Sequence, residues 1–312
     1  MSDTLDIRNM TTVTEFILLG FSLLPHFKIL FFCLVTFTYV CTIMGNVFII
    51  ALVLLNKRLH QPMYLFLCNL ALIDICFINT TVPNLLKSFL FLGDGLPISL
   101  VSCLAQLCSF FLTGTAEFFL LAVMSADRYL AICHPLRYSA VMQRLLCVQL
   151  IAGVWMGSFI SIFVPALLII RLEFCFKKID HFFCDVGPVL QNSCTETTTI
   201  EMLAFAPSSL LYMSFLITFI SYCNIVKAVL KINSEEGRGR VFSTCSSHGL
   251  VVCIAYGTCI FMYSQPVSLK GFDLNKKVSI LNTIIVPLIN PFIYTLRNEN
   301  VKEIIKKRLP LC

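Results

Sequence analysis

Seven stretches of this chain are almost free of charge, and each is long enough to cross a bilayer as a helix. Residues 29–56, 145–170, 202–226, 241–269 and 278–296 contain no Asp, Glu, Lys or Arg; residues 59–86 contain only Asp74 and residues 95–126 only Glu117. A spanning helix needs ~20 mainly apolar residues, so every run suffices. The runs are too long and too uniformly apolar for the alternating strands of a membrane barrel. Composition agrees: 58% of the 312 residues are hydrophobic and 13% charged, against the ~25% charged residues of an ordinary soluble domain. So few charges cannot cover a soluble surface, which excludes a soluble enzyme, a nucleic-acid binder and a disordered chain. The expected fold is an all-α membrane protein, a seven-transmembrane helix bundle forming one domain over residues 1–312. The spans are expected near 27–55, 63–90, 97–131, 145–170, 200–230, 240–264 and 278–296.

The net charge of +6 acts as an orientation signal. The loops at 56–62, 127–146 and 227–240 and the tail after 296 carry 14 basic and 5 acidic residues, whereas the opposite side carries 9 basic and 10 acidic. Basic loops stay in the cytoplasm, so residues 1–26 are expected outside the cell and residues 297–312 inside. Asn9-Met10-Thr11 is then a usable glycosylation acceptor at Asn9, whereas Asn79-Thr80-Thr81 falls within a span. The start, MSDTLDIRN, is polar and acidic, unlike a signal peptide. Phe16–Leu24 is apolar but too short to span. In the tail, Val301, Ile304, Ile305 and Leu309 share one face, with Lys302, Lys306, Lys307 and Arg308 elsewhere. This predicts a short amphipathic C-terminal helix on the anionic inner leaflet, with Cys312 a possible acylation point.

Several residues break the apolar pattern. Asp74 and Glu117 must face the bundle interior, because an ionised carboxylate in hydrocarbon costs several kcal/mol. Asn46 and Asn290 are buried polar candidates of the same kind. The four suggest a wet cluster able to hold an interior Na+ or a proton, or equally a set of hydrogen-bonded packing groups. Pro291 follows Asn290 and invites a kink, as do Pro165, Pro207 and Pro287. Tyr294 lies one turn beyond Pro291. Asp127-Arg128-Tyr129 closes the third span at its cytoplasmic edge, where Arg128 needs an acceptor or simply snorkels to the interface. Of the 16 cysteines, most sit in apolar runs as small hydrophobes. Cys103, Cys175, Cys184 and Cys194 face the oxidising side, and four cysteines allow three pairings.

In order along the chain, PMYLFLCNLALID (62–74), MSADRYLAICHPLRY (124–138), Ser221-Tyr222, FSTCSSH (242–248) and PLINPFIYTLRN (287–298) resemble the motifs of the rhodopsin-like (class A) G protein-coupled receptors. Within them, the chain is similar to the olfactory (odorant) receptors of the land-vertebrate class II type. The resemblance implies an activation switch of Asp127, Arg128, Tyr129, Tyr222, Asn290, Pro291 and Tyr294. It implies an interior ion-sensitive cluster at Asp74 and Glu117, and disulfides Cys103–Cys184 and Cys175–Cys194. It also implies an odorant ligand, a heterotrimeric G protein with a stimulatory, olfactory-type α subunit raising cAMP, and a plasma-membrane location in the cilia of olfactory sensory neurons. The chain departs from the family pattern in three places: Ser125-Ala126 before Asp127, Arg240-Val241 before the FSTC motif, and Ala255 before Tyr256-Gly257.

A ligand pocket is expected in the outer half of the bundle. The third span offers Phe110, Phe111, Gly114 and Thr115, the fifth Ala206 and Leu210, and the sixth Tyr256, Cys259, Ile260 and Tyr263 at i, i+3, i+4 and i+7. Such a lining is apolar with a few hydroxyls and suits small hydrophobic molecules rather than basic amines. The same stripes would otherwise read as helix packing; the resemblance tips the choice towards a pocket. Seven unrepeated spans argue against a transporter. His248, with Cys245 three residues earlier, reads as a packing or switch feature rather than a metal site. No enzyme activity, cofactor, resident metal or nucleic-acid partner is expected.

Overall fold

The computed structural model describes residues 13–21, 24–91, 93, 95–203, 205–231, 234–263, 272–296 and 301–304. Asn9 and Cys312, and most of the expected C-terminal amphipathic helix, lie outside these residues, as do the side chains of Ala206, Pro207, Arg240, Val241, Tyr263 and Tyr294. Helices α1 (Pro25–Leu55), α2 (Pro62–Leu90), α3 (Leu100–Cys133), α4 (Pro135–Val141) and α5 (Arg144–Ile170) come first, followed by α6 (Val186–Leu190), α7 (Thr198–Leu203), α8 (Phe205–Leu230) and α9 (Glu235–Tyr263). Last come α10 (Phe272–Ile280), a π-helical turn (Leu281–Ile285) and α11 (Val286–Leu296). Among the described residues, six helices are long and apolar enough to cross a membrane, and α9 adds the apolar stretch His248–Met262. Together they make the seven-helix bundle.

Local chemistry sets several boundaries. Pro62 and Pro135 open α2 and α4, where the missing N–H is one the helix would leave unpaired anyway. Ser99 caps α3 by accepting the Ser102 N–H at 3.2 Å, which starts that helix at Leu100, three residues after the expected start of the span near 97. The bundle's outer belt is oily: Leu30, Phe37, Phe159, Ile160, Phe219 and Ile220 are all exposed, as expected of side chains that meet lipid. α1 packs closely on α11 at Gly45, where an added Cβ would meet Pro291 ring carbons at 3.0 Å.

One element was not legible as a strand. Glu15–Leu18 forms β1, paired antiparallel with β2 (Leu96–Ser99) and parallel with β3 (Lys178–Ile179), in the order β2-β1-β3. Phe16 and Leu18 are fully buried. The sheet caps one end of the bundle. Gly95 enters it at φ 136°, a backbone that L side chains rarely adopt, and a Cβ there would lie 2.9 Å from the Leu18 carbonyl oxygen; glycine permits this close approach.

Candidate functional site

Below the sheet, the segment after β3 enters the bundle mouth. Cys184 is bonded to Cys103 in the first turn of α3, and Cys175 to Cys194 within the same long loop. Gln106, one turn beyond Cys103 in α3, ties three parts together: its Nε2 donates to the Thr80 carbonyl of α2 at 2.7 Å, and its Oε1 accepts the Cys184 N–H at 3.0 Å. On the other side, Lys276 of α10 forms an ion pair with Asp180 and donates to the Gly20 carbonyl at 3.2 Å. Between these anchors, Phe183 packs on Phe110 with ring centroids 4.6 Å apart, and Phe182 stacks on Phe21 at 5.4 Å.

The outer-half candidates divide into two groups. Phe110 stacks on Phe77 at 5.0 Å and meets Phe111 edge-on at 5.4 Å. Gly114 leaves room for the Phe77 ring, which a Cβ would meet at 3.4 Å. Thr115 is half-buried beside this group. Tyr256 lies deeper. Its ring contacts Phe118 and Phe215 at centroid distances of 4.8 and 5.4 Å, and its hydroxyl sits 3.1 Å from the Phe118 carbonyl and 3.0 Å from Ser214 Oγ. Cys259 is buried and Ile260 half-buried in the same cluster. Leu210 is 42% exposed, so it is not packed with either group.

The polar interior centres on Asp74, which is fully buried. Asn290 Nδ2 donates to both of its carboxylate oxygens at 3.0 Å. Asn46 Nδ2 donates to the Thr42 carbonyl at 3.0 Å and reaches the Pro287 carbonyl at 3.5 Å rather than Asp74. Glu117 of α3 is buried and interacts electrostatically with Asp74. Among the described residues, Glu117 Oε1, Asn46 Oδ1 and Asn290 Oδ1 are buried without a hydrogen-bond partner. Buried orphan acceptors of this kind call for water, a proton or a cation. No group of three or more His, Cys, Asp or Glu suited to a metal occurs among the described residues.

At the far end, Asp127 accepts a 2.9 Å hydrogen bond from the Tyr138 hydroxyl of α4. Burial, followed by the neighbouring Asp127 charge, raises the Tyr138 phenol above its ordinary value. The Arg128 guanidinium lies against the Met63 sulfur at the start of α2. Tyr129 reaches His134 Nε2 at 3.1 Å, and Tyr222 of α8 is hydrogen-bonded to His248 Nδ1 of α9. Ile225, Val229 and Cys245 pack with Tyr129, Ile132 and Tyr222 to seal this end.

Residues 45–294 match the family described as 7 transmembrane receptor (rhodopsin family). The chain is 45% identical over 302 residues to human olfactory receptor 6C74, and 46% identical to human olfactory receptor 6C76, with 96% of each chain covered. It is 45% identical to rat olfactory receptor 287 over the same share of both chains. The chain belongs to the olfactory receptors of the rhodopsin family.

Sequence reasoning missed several residues that organise this olfactory receptor. Gln106, Asp180 and Lys276 carry no motif and meet partners 78, 96 and 256 residues away. His181 was also missed. It is 2% exposed, stacked on Phe182 with centroids 4.7 Å apart and edge-on to Phe183 at 4.4 Å. Burial, then the Lys276 charge, pushes its imidazole down to about 3. Its only sequence signal was a polar residue before Phe-Phe-Cys. Tyr138 lay inside a quoted motif without a role. The receptor's Tyr222 joins His248, while the Tyr294 side chain is outside the described residues.

Proposed function

We propose that this olfactory receptor is an odorant receptor which binds small, mainly hydrophobic molecules in the outer half of its bundle and activates a heterotrimeric G protein, a stimulatory olfactory-type α subunit raising cAMP. The observation that carries this reading is the near-complete coverage by proteins named olfactory receptors, together with the Asp127–Tyr138 and Tyr222–His248 hydrogen bonds at one end of the bundle. The charge distribution supports assigning that end to the cytoplasm and the sheet end to the outside, with residues 1–26 external and 297–312 internal. A plasma-membrane site in sensory cilia goes with this reading.

Phe110, Phe111, Gly114 and Thr115 line one wall of the pocket. Tyr256, Cys259 and Ile260 form its floor; the helical spacing assigns Ala206 and Tyr263 to the same pocket, and Leu210, 42% exposed, is left out of it. The aromatic surfaces supply dispersion and exclude water, while the few hydroxyls orient a weakly polar ligand. Asp127, Arg128, Tyr129, Tyr222, Asn290, Pro291 and Tyr294 form the switch, in which ligand binding shifts the population towards an arrangement with the inner end of α9 displaced. Asp74, Glu117, Asn46 and Asn290 form the interior cluster. Their orphan oxygens fit a hydrated Na+ or a shared proton, which supplies the positive charge that two buried carboxylates require. Asn9 carries the glycan. A cell assay of cAMP against an odorant panel, with surface expression measured alongside, tests the reading. Arg128→Ala at equal surface expression is expected to abolish the response; an undiminished response removes Arg128 from the switch.

A further inference from the structure

Residues 180–184 form a strap across the bundle mouth whose two ends are held differently. The Cys184 end is covalent, through Cys103 of α3. The Asp180 end is held without a covalent link, by the ion pair to Lys276 of α10 and by backbone hydrogen bonds from the Leu19 and Gly20 N–H groups to the Ile179 and His181 carbonyls at 3.0 and 3.1 Å. Asp180 itself is half-exposed, whereas His181, Phe182 and Phe183 between the anchors are 2%, 1% and 0% exposed.

His181 sits at the releasable end, and both of its ring nitrogens are engaged. Nδ1 accepts the Phe183 backbone N–H at 3.4 Å. Nε2 lies 3.5 Å from Ser279 Oγ, whose shortest hydrogen bond, 2.8 Å, is donated to the Asn275 carbonyl. The Ser279 oxygen therefore accepts from Nε2–H, and the network specifies the neutral Nε2–H tautomer. A second proton has only Nδ1 to bind, where it would face the Phe183 N–H, donor against donor.

The surroundings offer an imidazolium no compensation. The charged groups beside it among the described residues are Lys276 on α10 and Asp180 on its own strap, and Lys276 already neutralises Asp180. The other neighbours are uncharged: Ser279 on α10, Met262 on α9 in contact with Ser279, Phe110 on α3 against Phe183, and Phe21 of the N-terminal segment against Phe182.

We propose that His181 is a proton-binding site that frees the α10 end of the strap, so that acid opens the receptor's mouth and shortens ligand residence. The ligand half of this statement rests on the odorant-receptor reading; the opening does not. The buried ring titrates below its released value of ~6.5, so the closed strap is fully favoured above that pH and loses ground as pH falls below it. For one proton, the closed-to-open ratio falls about tenfold between pH 7.5 and 5.5.

Hydrogen–deuterium exchange on the purified, full-length, ligand-free receptor tests this. After correction for the intrinsic pH dependence of exchange, amides of residues 178–184 should open about tenfold more at pH 5.5 than at pH 7.5. His181→Gln, which keeps a donor and an acceptor, and His181→Phe, which keeps the aromatic contacts, should both lose that pH response. A flat wild-type profile overturns the proposal without reference to any variant. A pH response that persists unchanged in both variants overturns it too. Because the measurement uses no odorant, its failure leaves odorant recognition standing, and failure of the cAMP panel leaves the strap result standing.

Discussion

Gln106→Met should cost this receptor about 2–3 kcal/mol of stability, although Gln106 belongs to no motif. The side chain is 6% exposed and makes one hydrogen bond to Thr80 O at 2.7 Å and one from Cys184 N at 3.0 Å. Methionine has similar length and volume, so packing changes little and the polar term dominates. Losing the Thr80 bond costs roughly 1 kcal/mol, and losing the Cys184 bond strands a buried N–H for about 1–2 kcal/mol, the larger part of the effect. The Thr80 carbonyl suffers less because it belongs to the α2 backbone ladder. Thermal unfolding in detergent, followed with a thiol-reactive dye, suits the measurement, because Cys147, Cys245 and Cys259 are buried free thiols. The expected drop in Tm is on the order of 5 °C. Gln143→Met is the control: Gln143 is exposed and its side chain makes no cap hydrogen bond, so its effect should stay within about 0.5 kcal/mol. If Gln106→Met melts with the control, the three-way tie does not contribute as the geometry requires.

Gly45→Ala should destabilise the α1–α11 contact by about 1–3 kcal/mol, since the new methyl meets the rigid Pro291 ring at 3.0 Å; the same thermal assay reads it, and an unchanged melt refutes it. A double-mutant cycle of Asp74→Ala with Asn290→Ala should return a coupling of about 1–3 kcal/mol, the range from a neutral to a charge-assisted hydrogen bond; additive effects would mean that the paired 3.0 Å contacts carry no energy. Tyr256→Phe removes the hydroxyl joining α9 to α3 and α8. Losing about 1 kcal/mol from the arrangement in which α9 is undisplaced should raise basal cAMP about fivefold at equal surface expression, and unchanged basal signalling would count against the tie. Replacing Cys103 and Cys184 by Ser, a separation of 81 residues, should cost about 4.5 kcal/mol, against about 3 kcal/mol for Cys175 and Cys194 at 19; equal losses in the melt would contradict the chain-entropy argument.

Much of the bundle was legible because its signal is local. A run such as 145–170 without a charge needs no partner to identify it as a span, since the bilayer itself forbids unpaired backbone and buried charge. Asp74 and Glu117 stood out for the same reason. The pocket was less legible. Phe110 and Tyr256 have similar surroundings in sequence, yet Phe110 joins the strap through Phe183 while Tyr256 is anchored deeper on Phe118 and Ser214. Leu210 shared the helical spacing of a lining residue and is exposed. Spacing along one helix says which residues share a face, and neighbouring helices decide what that face meets.

The amino-acid sequence alone determined that this is a membrane bundle of seven helices and an olfactory receptor by motif, because span length, charge exclusion and ordered motifs are properties of contiguous residues. Only the tertiary structure decided that Glu15–Leu18 is a strand. Four residues carry too little periodicity to register, and the partners at 96–99 and 178–179 lie far away in the chain. It likewise decided that Gln106 and Lys276 tie down the 180–184 segment and that His181 is buried within it. Each is an unremarkable polar residue until folding removes its water and leaves a protein group as its only available partner, and that exchange depends on what the fold brings beside it.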